Sequence, residues 1–169
     1  MKARRSTLFL ARAAVIAGAY VALTLALAPL SYSGMQLRLS EALCVLAYFS
    51  PSAVAGLTVG CALANLGSPY GLLDVAVGTA ATLIAALFAY FLPKGRIWKA
   101  LVPVWSALSN GVLVGLMLTI SAGAGENFGA IFLANALSVG LSQLLVCSVA
   151  GLPLLWWLDD SGLGHRYLG

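Results

Sequence analysis

Long apolar runs broken at short polar junctions set the pattern of this 169-residue chain. The runs are continuous and do not alternate, which argues for helices rather than the strands of a membrane barrel. The pattern predicts helices over roughly 7–28, 36–49, 51–66, 73–92, 101–121 and 128–158. Pro29 closes the first run, and Ser50-Pro51 separates the second from the third. GSPYG (67–71) reads as a turn, Pro93 to Lys99 as a basic loop and AGAGEN (122–127) as a glycine-rich junction. Gly151 and Pro153 break the end of the last run, where Trp156 and Trp157 read as an interfacial belt.

Composition turns these helices into membrane spans. The chain is 62% hydrophobic and 8% charged, against about 25% charged in soluble domains. The first run starts like a signal peptide, but it is a full membrane width long and five more follow. The fold class expected is an all-α, six-transmembrane-helix bundle, a single domain over 1–169 embedded in lipid as a multi-pass cell-membrane protein. No convincing repeat is visible.

Charge sets the orientation. Lys2, Arg4, Arg5 and Arg12 place the N-terminus inside. Six spans then also put Lys94, Arg96, Lys99 and Arg166 inside, so eight of the nine basic residues agree. Both termini are expected in the cytoplasm. A net charge of +4 distributed in this way is no nucleic-acid footprint.

Several chemistries are disfavoured. Three cysteines in apolar runs, Cys44, Cys61 and Cys147, and the single His165 form no metal-ligand cluster and read as incidental. No GxxxxGK[ST] is present, so any ATPase is a separate chain. No cofactor is expected, and no nucleophile–base pair supports an intramembrane enzyme.

The stretch MQLRLSEAL (35–43) stands out, because charges inside a membrane helix cost about 2.5–3.5 kcal/mol each. Arg38 and Glu41, three apart on a helix, are expected side by side. They either lock helix two by pairing with each other or serve a solute. The topology brings Gln36, Arg38 and Glu41 to one outer level with Asn65, Asp74 and Asn135, while Asn110 sits nearer mid-membrane beside Ser106. Asp74 either only complements its helix N-terminus or contacts ligand. The three asparagines either glue helices together or touch ligand. These donors and acceptors suit a small, flat, polar and roughly neutral heterocycle. Tyr32 and Tyr70 are interface anchors or stacking faces for it. Ala13 and Ala17, with Ala14 and Gly18, give helix one a small-residue face, and Gly56, Gly60 and Ala64 give another on helix three.

MQLRLSEALCVLAYFSP (35–51), GCALANL (60–66), LLDVAVGTAATL (72–83) and LSNGVLVG (108–115) together resemble the QueT family. The region from 93 to 107 carries no matching motif. The resemblance implies a substrate-binding S component of an energy-coupling factor (ECF) transporter. Such a component captures a queuosine precursor, a 7-deazaguanine, from outside. A membrane T component and two ATPase subunits act as partners in trans. The resemblance also implies that Ala13 and Ala17 contact the T component, and that the loops at 32–35 and 67–71 act as lids. Glu41 or Asp74 would read the N1–H/2-amino edge, with Arg38, Gln36 or Asn110 on the carbonyl. An S component for another vitamin or base, an intramembrane enzyme, and a scaffold locked by Arg38 and Glu41 are the alternatives.

Overall fold

A computed structural model describes residues 2–123 and 125–168, with side chains from Arg5 onward. The side chains of Lys2 and Arg4, used above for orientation, lie outside the described residues. Six α-helices carry the architecture: α1 Lys2–Ala26, α2 Pro51–Asn65, α3 Leu72–Phe91, α4 Val102–Ser121, α5 Phe128–Val146 and α6 Leu152–Asp160. Among the described residues there is no strand.

Four stretches are long and apolar enough to cross a membrane: Arg5–Ala26, Leu72–Phe91, Arg96–Ser121 and Gly125–Asp160. The second predicted helix differs from expectation. It is a 3₁₀ helix, Leu39–Tyr48, and Gln36 to Arg38 precede it in non-helical backbone. Its 10 residues and the 15 of α2 each span about 20 Å, short of the roughly 30 Å hydrocarbon core. Ser50 accepts from the Ser52 N–H and Pro51 opens α2, so the break at Ser50-Pro51 is a capped helix start. A π-helical stretch, Cys147–Gly151, joins α5 to α6, with Pro153 in the first turn of α6. Pro153 lacks the N–H that would continue the helix, as the sequence suggested.

Small residues decide which helices touch. A Cβ at Gly56 would lie 2.6 Å from the Ala13 carbonyl oxygen, and one at Gly60 would lie 3.0 Å from the Ala17 Cα. The two small-residue faces found in the sequence therefore pack on each other. Ala13 and Ala17, expected at a partner interface, are covered by α2 within the chain, because their backbone is the surface that lets α2 approach. The alanines and glycine that α1 leaves exposed include Ala11, Ala14, Gly18 and Ala22 along one stripe, with Ala19 and Ala26 also exposed.

One apolar core gathers Tyr20, Val45, Tyr48, Leu57, Cys61 and Leu155 around the 3₁₀ helix. A second, of Ala81, Val114, Met117, Leu118 and Val139, joins α3, α4 and α5. The two ends of the bundle differ chemically. At one end the Arg12 guanidinium donates to the Leu168 carbonyl, and Lys94 donates to the Tyr48 and Tyr90 carbonyls. Lys99 pairs there with Asp159, which also meets His165, and the His165 ring stands edge-on to Phe49. His165, read as incidental, thus helps hold the C-terminal tail against the bundle. Arg38, Asn65, Asp74 and Asn135 lie at the opposite end.

Candidate functional site

The segment from Tyr32 to Arg38 builds one wall of the site. Its backbone turns through a Gln36 N–H to Ser33 carbonyl bond of 2.9 Å, and the Met35 carbonyl accepts from the Ser142 hydroxyl of α5 at 2.6 Å. Both bonds hold the one peptide that joins Met35 to Gln36. Arg38, non-helical, aims away from Glu41. Its guanidinium donates to both Asp74 carboxylate oxygens at 3.1 and 2.9 Å, to Asn65 Oδ1 at 2.9 Å and to the Ser31 carbonyl at 3.3 Å.

Asn65 completes this network by donating to the Asp74 carbonyl at 2.8 Å, and Ser68 donates to Asp74 Oδ2 at 2.6 Å. Gly78 leaves the space: a Cβ there would stand 2.6 Å from Asn65 Nδ2 and 2.8 Å from Asp74 Oδ1. Tyr32 lies against Arg38, with the guanidinium 5.7 Å from its ring centroid, and its hydroxyl donates to the Ala64 carbonyl at 2.5 Å. Partial burial raises the Tyr32 phenol above its ordinary value, which keeps it a neutral donor. Arg38 and Asp74 are 5% and 0% exposed, so the pair is desolvated and each charge depends on the other.

Glu41 belongs to a different network. Tyr20 and Thr82 donate to its Oε1, the latter at 3.0 Å; Cys44 and Gln143 donate to Oε2, both at 3.0 Å. The 3₁₀ geometry stacks residues three apart, which brings Cys44 over Glu41. Gln143 also donates to Ser106 at 2.9 Å, and Cys147 donates to the Glu41 carbonyl at 3.4 Å. Asn110 stands one turn from Ser106 and donates to its carbonyl at 3.0 Å. The expected side-by-side Arg38 and Glu41 are thus separated, because helix begins only at Leu39. The cysteines also have a place: Cys44 and Cys147 touch Glu41, and Cys61 lies 3.3 Å from Thr82. Tyr20 and Thr82 were not anticipated, since a single hydroxyl in an apolar helix carries little signal. The Gln143 amide within an apolar run was the stronger clue.

Beside these networks lies a cavity of ≈ 570 Å³ whose wall includes Gly34, Pro69, Tyr70, Leu118, Ser121 and Asn135. Both expected lid loops contribute to it, through Gly34 and through Pro69 with Tyr70. Asn135 donates to Thr119 at 3.0 Å and lines the cavity directly, as does Tyr70, the candidate stacking face. Gln36 is in neither network. It is 2% exposed, yet neither its Nε2 nor its Oε1 has a hydrogen-bond partner. Each such orphaned group costs about 1–3 kcal/mol. Its backbone also adopts φ 51°, the left-handed region that a residue with a Cβ seldom enters.

A cavity with a mixed polar and apolar wall at one end of a helical membrane bundle suits capture of a solute. Comparison with protein families matches the model described as QueT transporter over residues 10–160. The chain belongs to the QueT transporter family. This QueT-family chain is therefore a multi-pass membrane protein of a transporter family, with a small-molecule substrate. Comparison with curated proteins and with solved structures gave no match.

Proposed function

We propose that this QueT-family chain is the S component of an ECF-type importer, binding a 7-deazaguanine queuosine precursor from outside. The observation that carries the reading is the cavity beside Asn135 and the two lid loops, backed by buried polar networks at the same end of the bundle. In this reading the bundle sits in the plasma membrane of a prokaryote as six membrane segments: α1, the 3₁₀ helix, α2, α3, α4, and α5 continued by α6. Both termini are cytoplasmic. Support comes from the gathering of Arg12, Lys94, Lys99 and the C-terminal tail at the end away from the cavity, as the positive-inside rule requires.

The site consists of Gln36, Arg38, Glu41, Asn65, Asp74, Asn110 and Asn135 in unequal roles. Asn135 faces the cavity. Arg38, Asn65 and Asp74 hold the wall, and Glu41 ties α1, α3 and α5 to the 3₁₀ helix, with Asn110 behind it. A T component and two ATPases supply the power, and the exposed stripe of Ala14 and Gly18 on α1, one position round from Ala13 and Ala17, meets the T component. Native mass spectrometry of protein purified from cells given 7-deazaguanines tests the assignment. One bound deazaguanine per chain is expected; a different heterocycle held at the same stoichiometry would overturn the choice of substrate.

A further inference from the structure

We propose that Thr119 fixes which way the Asn135 carboxamide faces, so that the cavity meets its solute with the acceptor Oδ1 and selects an amino donor, the 2-amino group of a guanine-like ring. This rests on the solute-capture reading above. Within it, the proposal names the atom that discriminates and the residue that positions it. The Thr119 hydroxyl has one hydrogen, which it donates along its own helix to the Gly115 carbonyl at 2.7 Å. Toward α5 the same oxygen can therefore only accept, and it accepts from Asn135 Nδ2 at 3.0 Å. Turning the amide over would set Oδ1 against a hydroxyl oxygen with no hydrogen left for it.

The helices hold this arrangement in place. A Cβ at Gly115 would lie 2.7 Å from the Ala136 Cα, so α4 and α5 touch backbone to backbone beside the pair. Thr119 is 0% exposed, whereas Asn135 is half-buried on the cavity wall. With Nδ2 turned into the helix contact, Oδ1 accepts no hydrogen bond from the described residues, yet it is not sealed from solvent as the Gln36 amide atoms are. The other polar side chains of the wall, Tyr70 and Ser121, are hydroxyls that rotate to donate or accept as a solute requires. The fixed amide cannot adjust in that way. A solute that turns an acceptor toward Oδ1 leaves two desolvated acceptors facing each other without a hydrogen between them.

Calorimetric titration of the purified full chain, without ATP or partner subunits, with 7-deazaguanine and with 7-deazaxanthine tests this. The second compound keeps the bicycle, N1–H and the carbonyl beside it, replaces the 2-amino donor by a 2-oxo acceptor, and carries a hydrogen on N3. Wild type is expected to favour 7-deazaguanine by about tenfold to a hundredfold. Thr119→Val keeps the shape and removes the hydroxyl, so the amide turns freely. 7-Deazaguanine then meets the right sense in about half the molecules and weakens about twofold. 7-Deazaxanthine tightens by about threefold to tenfold, and the preference shrinks by about fivefold or more. Thr119→Ser restores the hydroxyl and with it the wild-type preference. Asn135→Asp presents an acceptor in either sense, so it keeps the preference with Thr119 in place. A Thr119→Val protein that binds both compounds more weakly at an unchanged ratio would show a merely structural threonine and overturn the proposal, as would an Asn135→Asp protein that loses the preference. If wild type binds neither compound, the capture reading falls and this assignment with it. If wild type binds 7-deazaguanine without preferring it, this assignment falls alone.

Discussion

Replacing Asp74 by Asn tests the buried network most sharply. Asn keeps the shape and one acceptor but turns an N–H₂ toward Arg38 and Ser68, which are themselves donors. Arg38 is 5% exposed and then carries an uncompensated charge. Breaking one side of a buried pair costs about 3–5 kcal/mol. For a chain of this length each kcal/mol lowers Tm by about 2–4 °C, so Asp74→Asn should melt about 6–20 °C below wild type. The double variant Arg38→Met/Asp74→Leu removes both charges and should recover most of that loss. Thermal unfolding in detergent of Arg38→Met, Asp74→Leu and the double variant measures the coupling, expected to be about 2 kcal/mol or more. The same cycle on Arg38 and Glu41, which share only the backbone bond from the Glu41 N–H to the Arg38 carbonyl and no side-chain bond, should couple by under about 0.5 kcal/mol. An Asp74→Asn protein melting within 2 °C of wild type, or a larger coupling between Arg38 and Glu41, would refute the partition into two networks.

Glu41→Gln replaces an acceptor that serves four donors by one that must itself donate, and should lower stability by about 1–3 kcal/mol in a denaturation series. Gly60→Val forces a side chain against the Ala17 backbone at 3.0 Å; overpacking of about 1–3 kcal/mol should appear as a lower Tm and a smaller monodisperse fraction on size exclusion. Gly18→Leu meets nothing within 4 Å. It should leave Tm and solute Kd unchanged, while co-purification with a T component and ATPases drops; unchanged co-purification would place the partner contact elsewhere.

The helical class, the breaks at Ser50-Pro51 and Gly151-Pro153, and the family were legible because apolar length, proline chemistry and the MQLRLSEAL stretch are local signals. Convergence of Arg38, Asn65 and Asp74 was also legible, since they precede the 3₁₀ helix, close α2 and open α3, all at one end of the bundle. The pairing was not. An i, i+3 rule placed Arg38 beside Glu41, but that rule presumes helix; instead Ser33 and Ser142 hold the Met35–Gln36 peptide in a turn, and Asp74 draws the Arg38 side chain away. Tertiary contacts overrode local periodicity there. The Ala13 and Ala17 face was read correctly as a surface for close approach, but a spacing does not say which helix arrives, and α2 of the same chain arrives first. The Glu41 network escaped because its donors, Tyr20, Thr82 and Gln143, lie on three different helices, and only Gln143 stands out in its apolar run.

The most direct measurement is calorimetric titration of the purified chain, free of ATP and partner subunits, with 7-deazaguanine bases. An S component should bind one molecule per chain, saturably and without turnover. No binding of any 7-deazaguanine to folded protein would contradict the account.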